Sequence, residues 1–334
     1  MLYFINERGS FMKNLCCKNC GASMVIDPSG KNAHCPYCGA EYVLDHRDTD
    51  YYRDFYDRMR GFLKLSADAQ ERRRRADELW KYAADEQVFV CRDGRKINIK
   101  SMHVFKDKSA EAFTARENII FRFDCANSGN SDRFRKAVSS LDYPSADTRG
   151  LSDFFPKISG GFELSDGSSL LVIKKRADEY PLRLFGTLSG RHTAWLIGRM
   201  ENLCCVLEYN SLVHPDFGLD TLYIDPYDHQ ASLYGGWWNA VRNNTAVDGK
   251  VCTTRDNLIA LRNTAAKVLG FGSAAEVEET PDIPKPFADF LRGVPAGNAY
   301  DDFALWDDVL IKSYGERKFI NMDTDDEQIY GRGL

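Results

Sequence analysis

Two Cys-x-x-Cys pairs, Cys17 with Cys20 and Cys35 with Cys38, stand fourteen residues apart near the start of this 334-residue chain. No other feature constrains the chain as tightly. Two thiolates three residues apart grip one ion when the loop between them turns sharply. Both pairs continue as Cys-Gly-Ala, and Gly21 and Gly39 supply the positive φ such a turn needs. Between the pairs, "SMVID" and "KNAH" flank "PSG", which reads as a hairpin. Four thiolates in a closed tetrahedral set predict one structural zinc ion per chain, with no open position for catalysis. In so short a segment the metal supplies folding energy that a small core cannot, ~10–16 kcal/mol in comparable peptides.

Residues 15 to 45 resemble a zinc ribbon, and the module is assigned to residues 12–46, with Cys16 as a neighbour rather than a ligand. Ribbons serve nucleic-acid machinery and protein contacts alike. This one holds three basic and three acidic side chains, so no basic stripe favours nucleic acid and a protein-binding role is expected. The remaining cysteines are scattered, which fits buried thiols in a reducing cytosol better than a disulfide framework. No apolar run approaches the ~20 residues that span a bilayer. No membrane partner is expected, and the location is read as cytoplasmic. Residues 1–11 are read as a leader or disordered segment, because "MKNLCC" from Met12 is the more natural beginning.

Residues 47–87 are read as a helical connector. Apolar and aromatic side chains at 51, 52, 55, 56, 59, 62 and 63 repeat with helical spacing, and Ser66 is a candidate cap for the helix that follows. The run "ERRRR" suggests a nucleic-acid patch. Over residues 47 to 86, however, ten basic side chains meet ten acidic ones, the pattern of a solvated helix laced with ion pairs. Charge is uneven only at the end. Residues 301 to 334 carry nine acids against four bases, which accounts for the whole net charge of −5. Residues 321–334 are read as a solvated acidic tail.

The rest of the chain is ordered as strands, one helix, strands, then helices. "QVFVCRDGRKINIKSMHVF", "AFTARENIIFRFD" and "GFELSDGSSLLVIKKR" alternate like antiparallel strands around Asp-Gly turns. "SDRFRKAVSSL" is a short helix with Ser131 as its expected cap. "RHTAWLIGRMENLCCVLEYNSL" is apolar nearly all round, the mark of a helix inside a domain. It runs into "LVHPDFGLDTLYIDP", then "ASLYGGWW", then "RDNLIALRNTAAKVLG", capped by Thr253 or Thr254 and ended at Gly270.

These segments resemble the protein-kinase fold over about residues 88 to 318. The resemblance implies an α+β chain: a small four-cysteine zinc ribbon, the helical connector, then a bilobal protein-kinase-like domain. Its β-rich lobe would be 88–188 and its helical lobe 189–320. It also implies roles, residue by residue. His214 and Asp216 align on the catalytic His-x-Asp, so the base that orients a substrate hydroxyl is formally present. The other roles are vacated. Thr221 stands at the loop's magnesium-binding Asn. Gly235-Gly236-Trp237 stands at the Asp-Phe-Gly metal site. Arg122 is the one cation near the strand lysine, and an Arg fork is not a Lys point charge. The helix at 131–141 has no Glu, and no Gly-x-Gly-x-x-Gly precedes it. Asp256 aligns on the acid that ties the catalytic loop to the next helix.

Phosphoryl transfer needs Mg²⁺ between phosphate oxygens, and a base without a positioned electrophile has nothing to act on. The reading is therefore a pseudokinase, an adaptor or regulator acting through a protein partner, with ATP not bound. The alternative is an atypical phosphotransferase, or a nucleotide binder without turnover, built on Asp216 with Asp220, Asp225 or Asp228 recruited to metal. Asp225-Pro226 and Asp228 read better as turn residues. His-Pro-Asp also marks J-domains, but here a strand follows within five residues and the preceding helix lacks a basic face. His192 and His214 are read as structural. Trp237-Trp238 is read as a plug for the vacated site, or else as one wall of a partner groove.

Overall fold

The computed structural model describes residues 24–26, 32–36, 38–43, 67–143, 146–315, 320, 322 and 329. Cys17, Cys20, residues 1–11, Ser66 and the aromatic stripe from Tyr51 to Leu63 lie outside them. The chain divides into two units, residues 3–78 and residues 79–334 with Met1 and Leu2.

In the first unit β1 (Val25–Ile26), β2 (Asn32–His34) and β3 (Glu41–Val43) form an antiparallel three-stranded sheet in sequence order. Val25 faces His34, and His34 faces Glu41. The hairpin expected between the cysteine pairs is this β1–β2 pairing. The helix α1 (Ala67–Ala83) carries the basic run, and Arg74 pairs with Glu71 one turn earlier at 3.8 Å, both exposed.

The second unit begins with a hairpin of β4 (Asp85–Val90) and β5 (Lys96–Ser101), turned at Gly94 with φ +83°. The Asp93 carboxylate accepts from Arg95 N (3.1 Å) and Nε (2.6 Å), which closes the predicted Arg92-Asp93-Gly94-Arg95 turn. A five-stranded antiparallel sheet follows, built from β6 (His103–Lys106), β7 (Glu111–Thr114), β8 (Asn118–Phe123), β9 (Lys157–Glu163) and β10 (Ser169–Lys174). Its order is β6-β7-β8-β10-β9. The apolar run in "SLLVIK" makes β10 a buried central strand, paired with β8 from Ser169↔Phe123 to Lys174↔Asn118. Between β8 and β9 the chain crosses through α2 (Asn130–Ser139). The cap of α2 is Gly129 rather than the expected Ser131, which is buried in the first turn.

The helix-rich half holds α3 (Gly190–Tyr209), α4 (Thr254–Val268), α5 (Lys285–Arg292) and α6 (Ala299–Tyr314). Ser189 caps α3 by accepting from His192 N, and His192 Nδ1 shares a 3.0 Å hydrogen bond with the same hydroxyl. Small strands lie among the helices. β11 (Tyr180–Pro181), β13 (Leu222–Asp225) and β14 (Gln230–Leu233) make one sheet, and β12 (Leu212–Val213) pairs β15 (Val241–Arg242). The two strands expected in "TLYID" and "ASLYG" are β13 and β14. A last hairpin joins β16 (Thr245–Val247) to β17 (Lys250–Cys252).

Period-two alternation along β8 splits the packing. Ile119, Phe121 and Phe123 enter the main core with α3, α4 and α5, while Ile120 joins Phe113, Leu170 and Val172 in a smaller core on the other face. Within the segment read as a solvated tail, Met322 and Ile329 are buried. Among the described residues no helix is long and apolar enough to cross a membrane.

Candidate functional site

The loop after α3 is tied down from both sides. Asn210 closes the helix, its side chain donating to Val206 O and to Asp142 O (2.9 Å each). Further on, His214 N donates to Asn257 Oδ1 (2.8 Å), and Asn257 Nδ2 donates to Leu212 O (2.9 Å). The expected tie between loop and helix therefore comes from Asn257, not Asp256. Asp256 instead accepts from Thr253 N (2.7 Å) and from Lys250 Nζ (2.8 Å), completing the capping box of α4. One residue turns the helix by about 100°, which puts Asn257 on the buried face and leaves Asp256 at the rim.

His214 is buried. Its Nε2 donates to Gly235 O (2.9 Å), and its ring meets Trp237 edge-on at 5.1 Å. Burial holds its pKa below the ordinary histidine value, so the ring is a neutral strut. Asp216 is exposed, and its Oδ2 accepts from Asn239 Nδ2 at 2.7 Å. Thr221 is internal to the loop, its hydroxyl donating to Asp216 O (2.8 Å) and accepting from Gly218 N (3.0 Å). A threonine so engaged closes the loop on itself.

At the position aligned with the metal carboxylate, Gly235 and Gly236 pass against the loop. Gly236 has φ +75°, and a Cβ there would sit 2.7 Å from His214 Cε1 and 2.9 Å from Asp216 Cβ. Any side chain is excluded by both strain and space. Beyond it Trp237 is fully buried, donating to Leu233 O (3.0 Å) and packing on Phe155 at 5.9 Å. Trp238, 6% exposed, meets Phe121 and Phe123 edge-on at 5.3 Å each and stacks on Phe134 of α2 at 6.3 Å. The two indoles thus fill the space between sheet, α2 and loop. They are core side chains and do not line an open groove.

The expected cation is elsewhere. Arg122 lies on the opposite face of β8 from Phe121 and Phe123, donating to Glu111 Oε2 (2.9 Å) and Asp166 Oδ2 (2.8 Å). The inner face at that level carries phenylalanine. Lys175, just past β10, is buried and donates to Arg116 O and Arg176 O (2.9 Å each). Burial, with Arg116 beside it, brings its pKa down to about 7. Glu179 is also consumed internally, accepting from Ser232 Oγ (2.7 Å), Tyr234 OH (2.8 Å) and Arg176 N (2.7 Å). The other acids near the loop are engaged as well. Asp220 pairs with Arg183 at 2.7 Å. Asp225 accepts from Tyr227 N and Asp228 N in the turn between β13 and β14, and burial pushes its pKa up to about 7. Among the described residues no three His, Cys, Asp or Glu side chains converge as a metal site.

Of the four cysteines expected to hold zinc, the described residues include Cys35 and Cys38. β2 runs directly into Cys35, whose N–H donates to Ala40 O (2.8 Å) while its C=O accepts from Gly39 N (2.9 Å). Gly39 has φ +72°, so the knuckle turns as the Cys-Gly spacing predicts. Cys35 is buried and Cys38 exposed. This half of the donor set has thiol chemistry and turn geometry suited to zinc, which Cys17 and Cys20 would complete.

Asn257, Asn239, Glu179 and the three phenylalanines carry the site, and sequence reasoning did not single them out. Phe121 and Phe123 were within reach, because alternation in "NIIFRF" puts Arg122 on the face opposite them. Asn239 and Glu179 left no local signal.

No protein-family model matches the sequence, and no curated protein matches it. Solved structures do. The chain is similar to the ROP18 kinase domain in complex with AMP-PNP and sucrose, with TM-score 0.47, 12% identity, and 75% of this chain and 91% of that one covered. For vaccinia related kinase 3 the TM-score is 0.46 at 12% identity, covering 72% of this chain and 95% of that one. For a Toxoplasma gondii specific rhoptry antigen kinase domain it is 0.46 at 10% identity, covering 72% and 91%.

Proposed function

We propose that this chain is a kinase-like scaffold without phosphotransfer chemistry, a cytoplasmic adaptor or regulator that works by binding another protein. Its own topology supports the kinase-like part. The helix α2 follows the third strand of a five-stranded sheet, where the kinase family carries its lysine strand and its glutamate helix, and a buried long helix then delivers a His-x-Asp loop. The observation that carries the inactive reading is the ring cluster of Trp238 with Phe121, Phe123 and Phe134, together with Gly235 in the place of a metal carboxylate, where a Cβ would already sit 3.1 Å from Thr221 Cα. Phosphoryl transfer needs fixed positive charge where negative charge gathers, and this site offers aromatic edges there.

Residues 12–46 are proposed as a zinc ribbon held by Cys17, Cys20, Cys35 and Cys38. The three-stranded sheet and the Cys35–Gly39 knuckle support it. The buried thiols of Cys91 and Cys204, both with pKa raised by burial, suit a reducing compartment.

The second reading, a phosphotransferase using Asp216, has in its favour that Asp216 is exposed and reaches solvent beside Asn239. The deciding experiment is a thermal-shift titration with Mg-ATP, followed by a phosphotransfer assay at high protein concentration. The scaffold reading expects no shift and no transfer. Turnover that disappears in Asp216→Ala would overturn it.

A further inference from the structure

Among the described residues the chain passes from the sheet-rich half to the helix-rich half once, through the crossover between β10 and α3. A connection of this kind bends when a few of its residues are free to change φ and ψ. Residues 175–181 are instead held from both sides. On the sheet side the partner is the turn between β7 and β8, and the hold is reciprocal. Arg116 of that turn donates through Nη1 to Ala177 O and to Asp178 Oδ1 (3.1 Å). Lys175 returns the contact, its Nζ donating to Arg116 O (2.9 Å), Arg176 O (2.9 Å) and Ala177 O (3.3 Å). The three hydrogens of one ammonium thus meet three backbone carbonyls. The backbone N–H of Lys175 donates to Glu117 O (3.0 Å) in the same turn.

On the helix side the anchor is Glu179. Its Oε2 accepts from Arg176 N (2.7 Å) and from Tyr234 OH (2.8 Å), and its Oε1 accepts from Ser232 Oγ (2.7 Å). One carboxylate therefore ties the backbone of the crossover to β14 and the residue that follows it. Tyr180 and Pro181 then pair with Ile224 and Tyr223 of β13.

Arg116, Lys175 and Glu179 are all buried. Bending the crossover would pull charged donors and acceptors from their partners where water does not replace them, and an unpaired buried charge is far costlier than a paired one. The two halves also meet at Trp238, against Phe121 and Phe123 of β8. That contact is apolar, and burial of apolar surface is non-directional, so it favours closeness more than one orientation. The polar contacts of the crossover are directional.

We infer that the crossover is a clasp rather than a hinge: Arg116, Lys175 and Glu179 lock its backbone and set one orientation of the sheet-rich half against the helix-rich half. The clasp stands whether or not the domain transfers phosphate. On the scaffold reading, a partner meets a preformed arrangement, and binding needs no closure of one half on the other.

The test is single-molecule energy transfer on the full chain, with dyes on azido amino acids placed at the exposed positions Lys108 and Lys267, one in each half. The wild type is expected to give one narrow population. Trp238→Ala is expected to stay narrow, because the clasp still sets the orientation. Trp238→Ala combined with Lys175→Met, which keeps the length of the side chain and removes its three donors, is expected to broaden or to show a second population. Two populations in the wild type overturn the clasp. So does a double variant as narrow as the wild type, or a Trp238→Ala chain already as broad as the double. Hydrogen–deuterium exchange on Lys175→Met alone keeps the test decisive if the double variant fails to fold. Residues 175–181 should then exchange about tenfold faster or more while α3 keeps its protection, as for a local opening. Unchanged exchange there overturns the clasp.

Discussion

Replacing Trp238 by alanine tests the ring cluster on which the inactive reading stands. The side chain is 6% exposed and touches three phenylalanine rings at 5.3, 5.3 and 6.3 Å, contributed by β8 and α2. Deleting a buried tryptophan costs about 3–5 kcal/mol, a lost transfer contribution plus a cavity that the neighbours only partly fill. Three ring partners from two elements argue for the upper part of that range, since each aromatic pair adds about 0.5–1.5 kcal/mol beyond area. At ~2–4 °C per kcal/mol for a unit of this size, the melting temperature should fall by roughly 6–20 °C. Urea denaturation and a melting scan measure it, with Trp238→Phe as the control that keeps an aromatic at the position and loses less. The alanine variant has room where the indole stood but gains no carboxylate, so Mg-ATP should still give no thermal shift. A loss below ~1 kcal/mol, nearer the scale of a surface substitution, would refute the packing argument. A Mg-ATP shift in the variant would refute the chemical one.

Three further outcomes are expected. Glu201, fully buried on α3, is pushed up to about 9 by burial and by the Asp302 carboxylate, which is itself paired with Arg262 at 2.8 Å. Its folded pKa lies above the ordinary 4.5, so its contribution is present below pH 4.5 and is lost as pH rises toward about 9. Glu201→Gln removes that titration, and its urea midpoint should fall less than the wild type's between pH 5 and pH 8.5; equal slopes would discount the buried proton. Asn257→Ala leaves His214 N and Leu212 O without their partner. At about 1–3 kcal/mol for each stranded group it should destabilise by roughly 2–6 kcal/mol in urea, while Asp256→Ala, which removes the capping-box partner of Thr253, costs about 0.5–2 kcal/mol. A reversed order would restore Asp256 as the tie. Metal analysis of the intact chain should find one zinc per chain, and Cys35→Ser should lose it; iron, or no metal in the wild type, would reject the ribbon.

Much of the fold is legible in the residues because its rules are short-range. Alternation with Asp-Gly turns marks β4, β5, β9 and β10, and the apolar run from Trp195 to Leu207 marks α3 as an interior helix. Thr253 and Gly270 bound α4 as caps should. The glycines after β14 are legible as two positions with no side chain to offer a ligand. The errors share one cause. Alignment favours Asp256 over Asn257 and sets Arg122 where Phe121 and Phe123 stand, because it gives position along the chain and not the face a residue presents. Ser131 has the chemistry of a cap, but Gly129 is where the backbone enters the helix.

The sequence alone determined the cysteine pairs, the element order and the absence of acid, amine and amide from three expected positions. Spacing and residue type suffice for those, and both are local. Only the tertiary structure decided that Trp238 closes against phenylalanines more than a hundred residues earlier in the chain, that Asn239 donates to Asp216 Oδ2, and that Ile329 returns to His103. Those contacts join segments whose approach is set by the packing of whole faces, and no local period encodes which distant face a side chain will meet.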